Sequence, residues 1–201
     1  MTGDEGAGSR VLRYVTHPEV AIDPETAVGS WRLSSEGVRR AEAMCRRPWV
    51  GRITRIVSSD ETKAVQTAEV LAAHTGVEVE VRLGIGENDR SATGFVPPAR
   101  FEQLADRFFA EPEASVEGWE RAVDAQLRIV TGLRDLLSEV RSGDVAVIGH
   151  GGVGTLWYCA LAGLPIDRRH DQPHQGHYFT VDRGSGLPTH GWQPIDRGGP
   201  G

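Results

Sequence analysis

The chain has 201 residues, 39% of them hydrophobic and 25% charged, the balance of a soluble globular protein long enough to bury a substantial core. Its 22 Lys and Arg against 28 Asp and Glu give a net charge of −6, which argues against a general nucleic-acid binder but leaves room for a local basic pocket. Two cysteines, Cys45 and Cys159, are too few for a disulfide framework, read as small buried hydrophobes, and fit a reducing cytoplasm.

The opening MTGDEGAGSR lacks the apolar centre of a signal peptide, and residues 1–9 read as a disordered tail. VLRYV, 11–15, predicts a strand that runs into Thr16, His17 and Pro18. SSEGVRRAEAMCR, 34–46, predicts a helix capped by Ser34 or Ser35. RITRIVSS, 52–59, is a second strand, and 59–76 has the capping serine, first-turn acids and terminal glycine of a helix. VEVEVRL, 77–83, alternates as a strand does, and 84–98 reads as a loop rich in glycine, polar residues and proline. Helices are expected over 100–110 and 117–140. DVAVIGH is then a buried strand, GVGTLWYCALAG a helix and HYFTVDR a last strand. The apolar stretch 145–166 carries His150 and a glycine cluster, so strand, loop and helix explain it better than a membrane span. The alternation predicts an α/β fold: a three-layer α/β/α sandwich around a mostly parallel mixed sheet, one domain over 10–194 with a flexible tail over 195–201.

Ligands of such sheets bind beyond the carboxyl ends of the strands. Three predicted strand ends carry THP (16–18), SSD (58–60) and GHGG (149–152). His150 precedes a helix start, where unpaired N–H groups and the dipole favour an anion. Lys63 lies one turn inside its helix and reaches an anion there or stays a solvated lysine. Glu87 and Arg90 sit in the loop GENDRSATG. Gly149, Gly151 and Gly154 also fit G-x-G-x-x-G with Asp182 ending the next strand, the outline of a dinucleotide-binding unit, here placed near the end of the chain with a histidine in its turn. His170, His174 and His177 are close in sequence, but Pro173 breaks the helix their spacing would need, so no metal site is expected.

Taken in order, these pieces resemble the histidine phosphatase superfamily, which includes the cofactor-dependent phosphoglycerate mutases. The resemblance runs over about residues 11–182: THP where the family has Arg-His-Gly, LSSEG (33–37) for Leu-Thr-x-x-Gly, SSDETKAVQTAEVLA for Ser-Ser, arginine and Gln-Thr-Ala, a loop acid at Glu87, and VIGHGG for the final His-Gly. It implies a phosphatase that removes phosphate from a small phosphorylated molecule through a phosphohistidine. His17 would be the nucleophile, His150 the second histidine and Glu87 the proton donor, with Thr16, Lys63, Arg90 and Gly151 around the phosphate and no metal or organic cofactor.

The departures bear on rate. Thr16 replaces an arginine fork, Lys63 keeps charge without bidentate geometry, and Pro18 removes a backbone N–H. An arginine at a phosphoryl transition state is worth about 10³–10⁵ in rate in favourable systems. Arg90 is the expected replacement, ahead of Arg32 and Arg39. The alternatives are a non-catalytic or altered-chemistry relative that binds an anion in the same pocket, and, further off, a mutase or a dinucleotide-binding protein. No membrane or nucleic-acid partner is expected.

Overall fold

The computed structural model describes residues 10–140 and 142–197. The expectations for 1–9 and 198–201 fall outside that range. Six strands form one mixed sheet: β1 (Val11–Thr16), β2 (Ile53–Ser58), β3 (Val79–Val81), β4 (Asp144–Gly149), β5 (His177–Asp182) and β6 (Gln193–Pro194), in the order β3-β2-β4-β1-β5-β6. The first four named in that order run parallel; β5 is antiparallel to β1, and β6 to β5.

Alternation along the strands builds two cores. Leu12, Tyr14, Val57, Val145, Val147 and Phe179 point to one face, covered by α3 (Pro98–Ala110), α4 (Ala122–Glu139) and α5 (Gly151–Ala162). Val15, Ile56, Ala146 and Ile148 point to the other, covered by α1 (Ser35–Met44) and α2 (Thr62–Thr75). This is the three-layer sandwich expected. No helix among the described residues is long and apolar enough to cross a membrane.

Several boundaries differ from the sequence reading for physical reasons. Ser34 caps α1, its side chain accepting from Gly37 N–H at 3.0 Å. By contrast, α2 starts at Thr62, not at a capping serine: Glu61 holds the N-cap position in extended conformation, and its side chain makes no capping bond. Ser58 ends β2 instead, and Ser59 reaches the site described below. α4 starts at Ala122 because Glu117 and Gly118 adopt positive φ, 50° and 83°, in the preceding turn. The expected tail from 195 is also too long. Ile195 is fully buried, and Asp196 pairs with Arg40 at 3.1 Å, so 195–197 belong to the domain.

The dinucleotide outline lacks its βαβ unit, since β5 runs antiparallel to the strands before it. Its glycines have a packing reason instead. A Cβ at Gly149 would lie 2.4 Å from the Tyr14 hydroxyl, and one at Gly154 2.5 Å from the Tyr14 ring. Tyr14 needs that space. Its O–H donates to the His150 carbonyl at 3.1 Å and its oxygen accepts from His150 N–H at 3.1 Å, which pins the turn.

Candidate active site

The order β2-β4-β1 brings the three strand ends together. Thr16 pairs with Gly149 and Ser58 with Ile148, so the next residues, His17, His150 and Ser59, lie side by side. His17 N–H donates to Gly149 O and Ser59 N–H to Ile148 O, both at 3.1 Å, which carries the register one residue past the strands. The His17 and His150 rings meet edge to face with centroids 5.3 Å apart.

The two imidazoles have different roles built into their hydrogen bonds. His17 Nδ1 lies 2.8 Å from the Pro18 carbonyl, an acceptor, so Nδ1 carries the proton and Nε2 keeps its lone pair. Burial, then the neighbouring His150 and Lys63, push the His17 pKa down to about 3. His150 is fully buried. Its Nε2 lies 2.7 Å from Ser59 Oγ and 3.3 Å from Glu61 Oε1, while its Nδ1 meets no partner among the described residues. Burial lowers its pKa to about 4, outweighing the opposite pull of Glu61. Both rings are therefore neutral near pH 7, and one offers a bare ring nitrogen.

A cavity of about 480 Å³ opens over this pair. His17, Lys63, Glu87, Arg90 and Gly151 line it; His150 is fully buried, is not on its wall, and borders it through the His17 ring. Glu87 reaches the start of α5, accepting from Gly152 N–H at 3.1 Å and Val153 N–H at 3.0 Å. Gly152 leaves room for it: a Cβ there would stand 2.7 Å from Glu87 Oε1. Arg128 fixes the loop by donating to the carbonyls of Gly84, Gly86 and Glu87 at 2.9–3.1 Å. Arg90 rests over the rings of Phe101 and Trp119, at 5.0 and 5.6 Å. Among the described residues it has no ion-pair partner.

Thr16 is not on the cavity wall. Its hydroxyl donates to Gln172 Oε1 at 2.6 Å and accepts from His177 N–H at 3.0 Å, so it orients Gln172, which does line the cavity. Gly151 faces the same side chain; a Cβ there would lie 2.4 Å from Gln172 Nε2. Of the other arginines, Arg39 pairs with Glu36 on the exposed side of α1, and Arg32 is exposed.

Glu61 is the site residue that sequence reasoning missed. It bonds Lys63 through one oxygen, and its other oxygen accepts from Glu87 N–H at 2.9 Å beside His150. His150 and Lys63 draw its pKa down to about 2 against the opposing effect of burial, so it is a carboxylate. In sequence it is one acid among several at a helix start, which is the ordinary pattern of a dipole-compensating surface acid. His174 and His177 meet edge to face at 4.5 Å, while His170 lies against Tyr158, so the three do not converge.

A three-layer α/β domain with paired histidines at neighbouring strand ends defines the class of protein. The chain belongs to the histidine phosphatase superfamily, branch 1, whose profile matches residues 25–184. The solved structure of mycobacterial glucosyl-3-phosphoglycerate phosphatase with inorganic phosphate shares the fold at a TM-score of 0.76 and 20% identity, over 94% of this chain and 100% of that one. The alpha-ribazole phosphatase of Shigella flexneri superposes at 0.71 with 14% identity over 95% and 100% of the two chains. Bacillus stearothermophilus YhfR does so at 0.70 with 19% identity over 90% and 95%. No curated protein matches the sequence.

Proposed function

We propose that this protein is a phosphatase that hydrolyses a small phosphomonoester through a phosphohistidine on His17. The observation that carries the reading is the tautomer of His17: Nδ1–H is committed to Pro18, which leaves Nε2 unprotonated on a residue that lines the cavity. Its lone pair attacks phosphorus, an N–P bond forms, and the ester P–O bond breaks. Glu87 supplies the proton to the leaving oxygen. It then takes a proton from the water that cleaves the N–P bond and releases inorganic phosphate.

His150 and Lys63 serve the charge that gathers on the equatorial oxygens, and Arg90, the cavity-lining cation that forms no ion pair among the described residues, stands in for the arginine that Thr16 replaces. This scheme runs on side chains alone and calls for neither metal nor organic cofactor. The neighbours named as phosphatases, acting on glucosyl-3-phosphoglycerate and alpha-ribazole phosphate, support it at the level of reaction type. Free, buried Cys45 and Cys159 suit a reducing compartment, and we place the protein in the cytoplasm.

A second reading, a relative that binds an anion without transferring phosphate, draws on Glu61, which already occupies Lys63 and faces His150. A screen of phosphorylated metabolites for phosphate release separates the two. The phosphatase reading expects turnover in the wild type and its loss in His17→Ala; ligand binding without turnover favours the second.

A further inference from the structure

Beyond the reacting groups, the cavity is far larger than a phosphoryl group requires, and its volume of about 480 Å³ lies in the range of small-molecule sites. Its outer wall is built from Val20, Val28, Trp31, Phe95, Phe101 and Trp119. The rings form two pairs, Trp31 with Phe95 at 5.9 Å and Phe101 with Trp119 at 6.0 Å.

The polar handles of these rings are turned into the protein. Trp31 Nε1–H donates to the Asp23 carbonyl at 2.8 Å and lies 3.1 Å from that of Thr26. Trp119 Nε1–H donates to Thr93 Oγ1 at 2.9 Å. Both indoles are thereby held in place, with no N–H left to meet a ligand. Several polar side chains on the same wall are also committed. Arg168 pairs with Glu102 and Asp106. Asp171 accepts from Thr155 Oγ1–H at 2.7 Å and from Gln172 N–H at 2.8 Å, and the Gln172 carbonyl oxygen is taken by Thr16. A ligand rich in hydroxyls would lose water here, and on this wall Gln172 Nε2, His174 Nε2 and the Gln175 amide are, among the described residues, the side-chain groups left to meet it, fewer than the hydroxyls of a sugar. Arg90 lies over the Phe101 and Trp119 rings, so the aromatic surface left for an apolar body is the Trp31–Phe95 pair, where losing water is favourable.

From this wall we infer the substrate class: phosphomonoesters whose alcohol carries an apolar, preferentially aromatic, body, rather than sugar phosphates. This rests on the phosphatase reading for its chemistry, but the wall can be tested without turnover. Kinetic comparison of 2-phenylethyl phosphate, ethyl phosphate and glucose 6-phosphate keeps the reacting unit a primary alkyl ester. The expected result is a kcat/KM for the phenylethyl ester about tenfold to a hundredfold above the other two, the factor that burial of a ring supplies. Trp31→Ala should bring that ratio toward one, and Trp31→Phe should restore it.

Calorimetry with 2-phenylethylphosphonate and ethylphosphonate, which cannot be hydrolysed, reads the wall directly. Tighter binding of the phenyl compound with no ester turnover would keep the apolar chamber and overturn the phosphatase reading. Equal binding of the two phosphonates, or hydrolysis of glucose 6-phosphate as efficient as that of the phenylethyl ester, would overturn the substrate class and leave the phosphatase reading standing.

Discussion

Glu61→Gln probes the electrostatics of the site most sharply. The carboxylate is about one-fifth exposed and its partner Lys63 is 4% exposed, so solvent screens little of what it does. It also lies 3.3 Å from Nε2 of His150, whose ring stands edge to face with that of His17. A unit charge roughly 6 Å from another costs about 3 kcal/mol at an effective dielectric constant of ~20. Gln removes that repulsion and frees Lys63 for phosphate, while its amide oxygen keeps the bond from Glu87 N–H. Allowing for relaxation, phosphate and vanadate should bind about tenfold to a hundredfold more tightly, read as competitive inhibition or by calorimetry. Without ligand the variant should be less stable, since an uncompensated buried Lys63 costs on the order of 3–5 kcal/mol. Phosphate should then raise its Tm by more than it raises that of the wild type. Unchanged or weaker phosphate affinity in a folded Glu61→Gln protein would refute this electrostatic reasoning.

The buried histidines predict acid lability. Their folded pKa values, about 3 and about 4, lie below the unfolded value of 6.5, so between these limits the unfolded chain binds more protons and stability falls as pH falls. Each should cost about 2 kcal/mol between pH 7 and pH 5. Urea unfolding at the two pH values checks this, and a His17→Gln/His150→Gln protein as acid-sensitive as the wild type would contradict it. Asp144→Ala leaves Arg13, buried over Trp49 at 5.1 Å, without its 2.9 Å partner; a loss of about 3–5 kcal/mol in denaturant unfolding is expected, and a loss below 1 kcal/mol would show the pair to be dispensable. If Glu87 donates the proton as proposed, Glu87→Gln should lower hydrolysis of ethyl phosphate by about 10²–10⁴ and that of p-nitrophenyl phosphate, with its better leaving group, by much less. Equal losses on both esters would argue for a positioning role instead.

The strands and helices of the sandwich were legible because period-2 and period-3.6 apolar patterns are local. The meeting of His17, Ser59 and His150 was not, since it depends on the order β2-β4-β1, which no local pattern encodes; the family resemblance supplied it. Residues whose roles rest on distant partners were the ones misplaced. Thr16 was read as facing the substrate but spends its hydroxyl on Gln172 and His177, 156 and 161 positions away. Glu61 looked like a helix-start acid. Arg40, on α1, drew no reading from the sequence, yet it is buried and joins Glu19, the carbonyls of Gln175 and Gly176, and Asp196. Asp196 lies in a Gly/Pro-rich end whose composition suggests a loose tail, and this arginine ties it down.

The most direct test of the central claim is to trap the covalent intermediate. Wild-type protein mixed with a hydrolysed ester, quenched in base and mapped by mass spectrometry, should carry a phosphoryl group on His17 that is stable to base and lost in acid. It should form at least as fast as steady-state turnover and be absent from His17→Ala. Turnover with no phosphoryl group on His17, persisting in the His17→Ala protein, would contradict the account.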